Sequence, residues 1–114
     1  MGRFNFLPEF EKELGRLVKK YKSLHIDLSE FQKVLSVQPE GIGRNFSVLY
    51  RSKSIIIVKA RLACAALRSR DIRVVYAYHH DRFEFLYIEI YFKGDKENEN
   101  FARIREYIKS FPEN

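Results

Sequence analysis

The sequence lacks most of the residues that a disulfide, metal or redox site requires. Cys64 is the only cysteine among 114 residues, which excludes an intrachain disulfide, a thiolate zinc cluster and a redox pair. Its apolar setting, "RLACAAL", predicts a packing residue. No pair of histidines has the spacing of a metal site: His25 is predicted on a helix surface, and His79 and His80 at an exposed turn. The loop "EGIGRN" lacks the lysine and the following helix of a P-loop, so we expect neither a metal nor another cofactor.

Long apolar runs are absent as well. No run approaches the roughly 18 to 20 residues that span a membrane, and the opening "MGRFNFLPEFEKEL" becomes acidic too early for a secretory segment. Apolar residues make up 46% of the chain and charged residues 32%, a composition typical of a globular protein. We therefore expect a cytoplasmic protein with a single domain over residues 1–114.

The positive charge is concentrated in one segment. The net charge is +6 and the isoelectric point about 9.5. Residues 51–73 contain seven basic residues and one acid, whereas basic and acidic residues balance elsewhere. Such an excess is typical of a protein that binds a polyanion. The basic residues of this segment are Arg51, Lys53, Lys59, Arg61, Arg68, Arg70 and Arg73.

Hydrophobic periodicity predicts two helices, three consecutive strands and a third helix, after a short first strand at "RFNFL". The helices are "PEFEKELGRLVKKYK", a segment capped by Ser23 that ends near Gln38, and "FARIREYIKSF", capped by Asn98 or Asn100 with Phe101, Ile104 and Ile108 inward. "QPEGIGRN" is predicted as a loop. The strands are "IIIVKARLA", "DIRVVYAYH" and "RFEFLYIEIYF", with "HHDR" as a hairpin turn. The predicted fold is α+β: a small antiparallel sheet of about four strands, mixed at the edge, with two N-terminal helices on one face and a C-terminal helix.

Alternation along these strands predicts one apolar sheet face and one cationic face. Leu86, Ile88, Ile90 and Phe92 are predicted to share the core face, and Tyr87, Glu89, Tyr91 and Lys93 the other. A three-residue turn would place Arg73 opposite Glu89. Two interpretations stay open: Lys59, Arg61, Arg73 and Lys93 receive a polyanion, with Tyr91 as a stacking surface, or the charges are ordinary sheet decoration.

The pieces "IVKARLACAALRSRDIRVVYAY", "FLYIEIYFKGDKE" and "F-x-x-E-L-x-x-L-x-K-K-Y" resemble toxins of the RelE/ParE superfamily, from bacterial type II toxin-antitoxin systems. The resemblance spans nearly the whole chain. It implies a metal-independent endoribonuclease of the RelE-like branch, an mRNA interferase that inhibits translation by cleaving messenger in the ribosomal A site. The resemblance further implies that the 2′-hydroxyl of the RNA is the nucleophile and that a cyclic phosphate is left.

The resemblance also implies site residues and partners. Lys59 and Arg61 match a basic pair, Arg73 the arginine before "V-V-Y", and Lys93 and Lys96 a basic turn. Tyr91 is the candidate substitute for the tyrosine or histidine expected past that turn, where this chain has Phe101. RNA binding is assigned to Lys96, Arg51, Lys53, Arg68 and Arg70. The implied partners are the ribosome, its mRNA and a cognate antitoxin that forms a hetero-oligomer with the toxin.

Two other functions remain open on the same scaffold. A ParE-like inhibitor of DNA gyrase would share the fold, although ParE-like members generally lack the basic cluster. A non-catalytic RNA-binding or interaction domain would explain why the expected tyrosine or histidine past the basic turn is missing.

Overall fold

The computed structural model describes residues 3–111. The elements in chain order are β1 (Arg3–Phe6), α1 (Pro8–Lys20), α2 (Leu24–Val37), β2 (Phe46–Arg51), β3 (Ile55–Cys64), β4 (Ser69–His79), β5 (Glu84–Phe92) and α3 (Phe101–Lys109). The predicted α+β class, the helices and the strands β1, β3, β4 and β5 are confirmed. β2 is a fifth strand that the sequence pattern did not predict.

The five strands form one mixed sheet in the order β1-β5-β4-β3-β2. Neighbouring strands are antiparallel except at one edge, where β1 runs parallel to β5. The long strands β3, β4 and β5 therefore occupy the centre, and the two short strands protect the edges.

Helices α1 and α2 cover the first face of the sheet. Phe10 of α1 stacks on Tyr87 of β5, with ring centroids 5.0 Å apart. Phe31 of α2 meets Tyr76 of β4 edge to face at 6.1 Å, as aromatic pairs prefer. The predicted apolar face of β3 belongs to this core, as does Cys64, which is buried. Burial of these side chains supplies the main driving force for folding.

Helix α3 covers only part of the second face. Ile104 and Tyr107 of α3 pack against Ile57, Val75 and Ile88 from the three central strands. The side chain of Asn100 caps the helix by accepting a hydrogen bond from Arg103 N at 3.0 Å, which confirms the prediction for Asn100. The prediction for Phe101 was wrong, because its side chain is 55% exposed.

Strand β1 pairs with β5 only as far as Tyr87, so within residues 3–111 the rest of β5 has no neighbouring strand on that side. A pair of charged side chains covers this edge. Arg103 of α3 donates to Glu13 of α1 through both terminal nitrogens, at 3.0 and 2.8 Å. The same arginine donates to the carbonyl oxygen of Ile88 at 2.9 Å, and Glu13 accepts from Ile90 N at 3.3 Å. The pair thus satisfies backbone groups of an unpaired strand edge and joins helices from opposite faces of the sheet.

Strand β5 changes its facing pattern part-way along. Its register with β4 slips at one position, so that Tyr76 pairs with Tyr87 but Val75 pairs with Glu89, which leaves Ile88 as an extra residue. Such a bulge reverses the alternation that follows. The predicted faces were therefore wrong for the first half of the strand: Tyr87 lies in the first core, and Leu86 and Ile88 pack beneath α3. After the bulge, Ile90 and Phe92 lie in the first core as predicted.

Two local predictions also fail. His79 is buried rather than exposed, with Nε2 against the hydroxyl of Tyr107 and Nδ1 2.8 Å from Nη2 of Arg82. Ser23 precedes α2 but does not cap it. Its hydroxyl instead donates to Asp27 at 2.7 Å.

The turn between β4 and β5 spans residues 80–83, one residue more than predicted. Together with the bulge, this extra residue explains why the predicted pairing of Arg73 with Glu89 does not form. Within residues 3–111, no helix is long and apolar enough to span a membrane.

Candidate functional site

Two rows of side chains lie side by side on the part of the second face that α3 leaves open. In one row Arg61 of β3 pairs with Arg73 of β4, which pairs with Tyr91 of β5. In the adjacent row Lys59 pairs with Val75, which pairs with Glu89. Directly paired side chains have Cβ atoms about 4.5 to 5.5 Å apart, so the two rows form one compact surface. Its basic residues, together with those of the segment after β5, are called the cationic cluster: Lys59, Arg61, Arg73, Lys93 and Lys96.

The two arginines of the cluster are neighbours without a carboxylate partner among the described residues. Arg73 is only 7% exposed, and its Nη1 donates to the carbonyl oxygen of Arg70. Arg61 is exposed. Like charges directly opposite on a sheet destabilise it. This arrangement is therefore unfavourable alone and becomes favourable when an anion binds both guanidinium groups.

The lysines after the arginine row lie at the end of β5. The backbone N–H of Lys93 donates to the carbonyl oxygen of Asp71 at 2.8 Å, which extends the ladder between β4 and β5. Lys93 is two residues after Tyr91 and so continues the second face, where its side chain is exposed. Lys96 lies over the ring of Tyr91, with Nζ 5.1 Å from the centroid.

Two buried carboxylates accompany these cations. Glu89, fully buried, pairs with Nζ of Lys96 and accepts a hydrogen bond from Asn100 N at 2.8 Å. Glu99 pairs with Nζ of Lys59 at 3.0 Å. Buried charges are tolerated only when they are paired in this way. The five cations and two carboxylates leave the surface with a net positive charge.

Tyr91 keeps its proton at neutral pH. Burial, and next the negative charges of Glu99 and Glu89, raise its pKa to about 12, while the nearby charge of Arg73 acts in the opposite direction. A protonated phenol in this position is a hydrogen-bond donor beside the arginine row. The ring is largely covered, since only 6% of the residue is exposed.

The other predicted RNA-binding residues lie outside the cluster. Arg51 pairs in the sheet with Ile56, five residues from Arg61 along β3 and so about 17 Å away. Its guanidinium binds Glu40 at 3.1 Å, and Lys53 follows in the next turn.

The remaining two lie in or beside the turn between β3 and β4. Arg68 is exposed there, with a positive φ of 55°. Arg70 lines a groove against α2 on the first face, beside Asp27 and Phe31. The structure therefore brings together Lys59, Arg61, Arg73, Tyr91, Lys93 and Lys96, but not Arg51, Lys53, Arg68 or Arg70.

Sequence reasoning missed Glu99, the one residue of the segment 93–99 that is buried. It lies in a polar, turn-rich connection, "GDKENEN", where no periodicity indicates which side chain turns inward. One feature of the sequence could have indicated Glu99. It directly precedes Asn100, the residue that caps α3, and the start of a helix fixes the path of the backbone at that point.

The arrangement suits the binding of a phosphate group. Two adjacent guanidinium groups supply paired N–H donors for phosphate oxygens, and the exposed Lys93 adds a further positive charge beside them. Fixed cations of this kind stabilise the extra negative charge that develops when phosphorus becomes five-coordinate.

The fold has a solved counterpart. Over 82% of this chain and 97% of the other, it superimposes on a chain in the crystal structure of an archaeal RelE-RelB complex from Pyrococcus horikoshii OT3, with a TM-score of 0.63 and 19% sequence identity. The chain has a RelE-like fold. No protein-family model matches this RelE-like chain, and no curated protein matches it at a significant level. The likeness is one of fold alone, and its archaeal source does not support the bacterial origin that the sequence resemblance implied.

Proposed function

We propose that this RelE-like chain is the toxin of a type II toxin-antitoxin pair and acts as a ribosome-dependent mRNA endoribonuclease. The observation that carries the proposal is the row formed by Arg61, Arg73 and Tyr91. Two neighbouring arginines without a carboxylate partner in residues 3–111, beside a protonated phenol, are suited to an RNA phosphate.

The proposed reaction needs neither a metal nor a redox cofactor. The 2′-oxygen of a ribose bonds to the adjacent phosphorus and loses its proton, and the bond from phosphorus to the 5′-oxygen breaks. The leaving 5′-oxygen takes up a proton, so the products are a 2′,3′-cyclic phosphate and a 5′-hydroxyl. Arg61 and Arg73 bind the non-bridging phosphate oxygens, Lys59, Lys93 and Lys96 add positive charge around them, and the phenol of Tyr91 donates a hydrogen bond.

The partners proposed with this function are the ribosome with its mRNA, and an antitoxin that forms a hetero-oligomer with the chain. The antitoxin is supported by the solved neighbour, which is a RelE-RelB complex. Both partners place the protein in the cytoplasm. The net charge of +6 suits an acidic antitoxin chain as well as RNA.

The proposal is tested by inducing the chain in bacterial cells and mapping messenger ends by primer extension. We expect cuts within translated codons, growth arrest, and no cuts in naked RNA. Arg73→Ala should reduce cutting about 100-fold or more, as the loss of one donor to a transition-state oxyanion does in other enzymes. Arg44→Ala is the matched control, since Arg44 is exposed and makes no side-chain hydrogen bond or ion pair within residues 3–111.

Three outcomes would contradict the proposed site or the proposed nuclease activity. If the Arg73→Ala variant folds and cuts as well as the parent protein, the cationic cluster is not the site. Growth arrest without cut messenger, accompanied by cleaved DNA, would indicate a ParE-like gyrase inhibitor. A protein with neither effect would be a non-catalytic binding module.

A further inference from the structure

Glu99 lies within the cationic cluster and is held there by one of its cations. The six residues before it, from Lys93 to Asn98, are exposed, whereas only 8% of Glu99 is exposed. Its carboxylate binds Nζ of Lys59 at 3.0 Å. The segment after β5 therefore turns a single side chain inward, and that side chain carries a negative charge.

The Glu99 carboxylate also lies close to the other groups of the site. After burial, its charge makes the largest contribution to the raised pKa of the Tyr91 phenol. Tyr91 pairs directly with Arg73 in the sheet. A carboxylate next to Lys59 and Tyr91 occupies part of the space in which the proposed function places an RNA phosphate.

We propose that Glu99 is an internal competitor for RNA phosphate, and that a phosphate group reaches Lys59 by displacing the Glu99 carboxylate. This inference rests on the proposed function. It adds that the phosphate subsite at Lys59 is occupied by the Glu99 carboxylate before RNA binds. The Glu99 carboxylate and an RNA phosphate would each accept hydrogen bonds from the ammonium group of Lys59. The two negative charges would repel each other if both were bound to this ammonium group at once.

The local structure allows the exchange without loss of the fold. The backbone next to Glu99 is anchored independently, because Asn100 N donates to Glu89 at 2.8 Å. The Asn100 side chain also caps α3 at Arg103 N. Rotation of the Glu99 side chain toward solvent therefore releases Lys59 while the start of α3 stays in place.

The test is the affinity for a fluorescein-labelled single-stranded RNA oligonucleotide of mixed sequence, measured by anisotropy at low salt. Glu99→Gln removes the charge with the least change of shape. We expect it to bind about tenfold more tightly, equivalent to about 1.4 kcal/mol. Glu97→Gln makes the same charge change at an exposed residue of the same segment, and it should change the affinity less than about twofold.

A Lys59→Met background identifies the residue through which Glu99 acts. If Glu99 masks Lys59, then Glu99→Gln should give no further gain in that background, a non-additivity that distant charges do not produce. The salt dependence provides a second readout. One newly available phosphate contact steepens the slope of log affinity against log salt by about 0.7 for single-stranded nucleic acid.

Glu99→Asp keeps the charge but shortens the side chain by one methylene, and it should give an intermediate gain. This variant keeps the test decisive if a thermal melt shows that Glu99→Gln does not fold. Equal affinities of the Glu97 and Glu99 variants would overturn the inference, and so would the absence of RNA binding by any variant. Unchanged affinity of Glu99→Gln with lost cleavage would overturn it as well, since that result assigns Glu99 to proton transfer. Codon cleavage by the parent protein in cells is measured separately, so the proposed function can stand when this inference fails.

Discussion

The pair formed by Arg103 and Glu13 provides a direct test of what holds α3 on the sheet. Arg103→Met keeps most of the aliphatic volume but removes the guanidinium. It would leave the Glu13 carboxylate, whose side chain is 14% exposed, without its cation. It would also leave the carbonyl oxygen of Ile88 without the hydrogen bond at 2.9 Å.

The expected loss follows from these contacts. Removing one partner of a buried ion pair destabilises a protein by about 3 to 5 kcal/mol. Both side chains retain some solvent contact, 17% for Arg103 and 14% for Glu13, so we reduce the expected loss to about 2 to 4 kcal/mol. The contact uses two nitrogens of Arg103, and hydrogen bonding to Glu13 is the chief cause of the raised pKa of Arg103, so the two charges are closely coupled.

Urea and thermal unfolding followed by circular dichroism measure this loss. With an unfolding entropy of about 2.1 cal/mol/K per residue, each kcal/mol lowers the Tm of a domain this size by about 4 °C. The expected decrease is therefore roughly 8 to 16 °C. Arg105→Met is the matched control, because Arg105 is exposed on the same helix and makes no side-chain hydrogen bond or ion pair within the described residues. Its effect should stay within about 0.5 kcal/mol.

A double-mutant cycle with Glu13→Gln separates the pair from its parts. The double variant should be less destabilised than the sum of the two single variants, because neither charge is then left unpaired. A loss below about 1 kcal/mol for Arg103→Met, or strict additivity in the cycle, would refute the reasoning.

Three further predictions concern stability. Gly41→Ala should destabilise the fold by at least about 1 kcal/mol, because Gly41 has a φ of +72° and an added Cβ would collide with the ring of Phe46. Gly15 lies in the exposed middle of α1, and a Cβ added there has no atom within 4 Å. Gly15→Ala should therefore stabilise the fold by about 0.5 to 1 kcal/mol. Equal effects of Gly41→Ala and Gly15→Ala on the free energy of unfolding in urea would contradict both predictions. Burial, and next the charge of Arg82, lower the pKa of His79 in the folded state. The free energy of unfolding should therefore fall as the pH drops below about 6.5, because His79 then takes up a proton more readily in the unfolded state. The decrease should level off below the folded-state pKa, where both states are protonated. His79→Gln should remove this part of the pH dependence in urea titrations between pH 4 and about 8, whereas His25→Gln on the exposed surface of α2 should retain it.

The sequence predicts the elements whose periodicity is strong. Helix α1 has apolar residues at helical spacing between its acidic first turn and basic last turn. Strands β3 and β4 are long and rich in β-branched residues, which predicts strands even where both faces are buried. The short strand β2, "FSVLYR", lies at the edge with mixed burial and has no comparable pattern. Edge strands owe their structure to the neighbour with which they pair, and that neighbour is not visible in local sequence.

The candidate site was predictable only where strand alternation continues without a break. Lys59, Arg61 and Arg73 lie on the second face as their parity indicates, because β3 and β4 pair in regular register from Ile55 to Leu62 and shift only beyond it. The partners of Glu89 depended on the turn length and on the bulge. Glu99 reaches the site from a connection, where alternation gives no information.

The bulge in β5 is the feature that makes the site possible. Without the extra residue Ile88, regular alternation would keep Glu89 and Tyr91 on the face of Tyr87, inside the aromatic core beneath α1. A carboxylate buried there would have no cation, at a cost of several kcal/mol. With the bulge, both side chains turn to the second face just where α3 ends its cover, and Tyr91 comes opposite Arg73. One inserted residue thus places Glu89 and Tyr91 beside the cationic cluster while Ile90 and Phe92 stay in the first core, and bulges are over-represented at such re-aimed side chains.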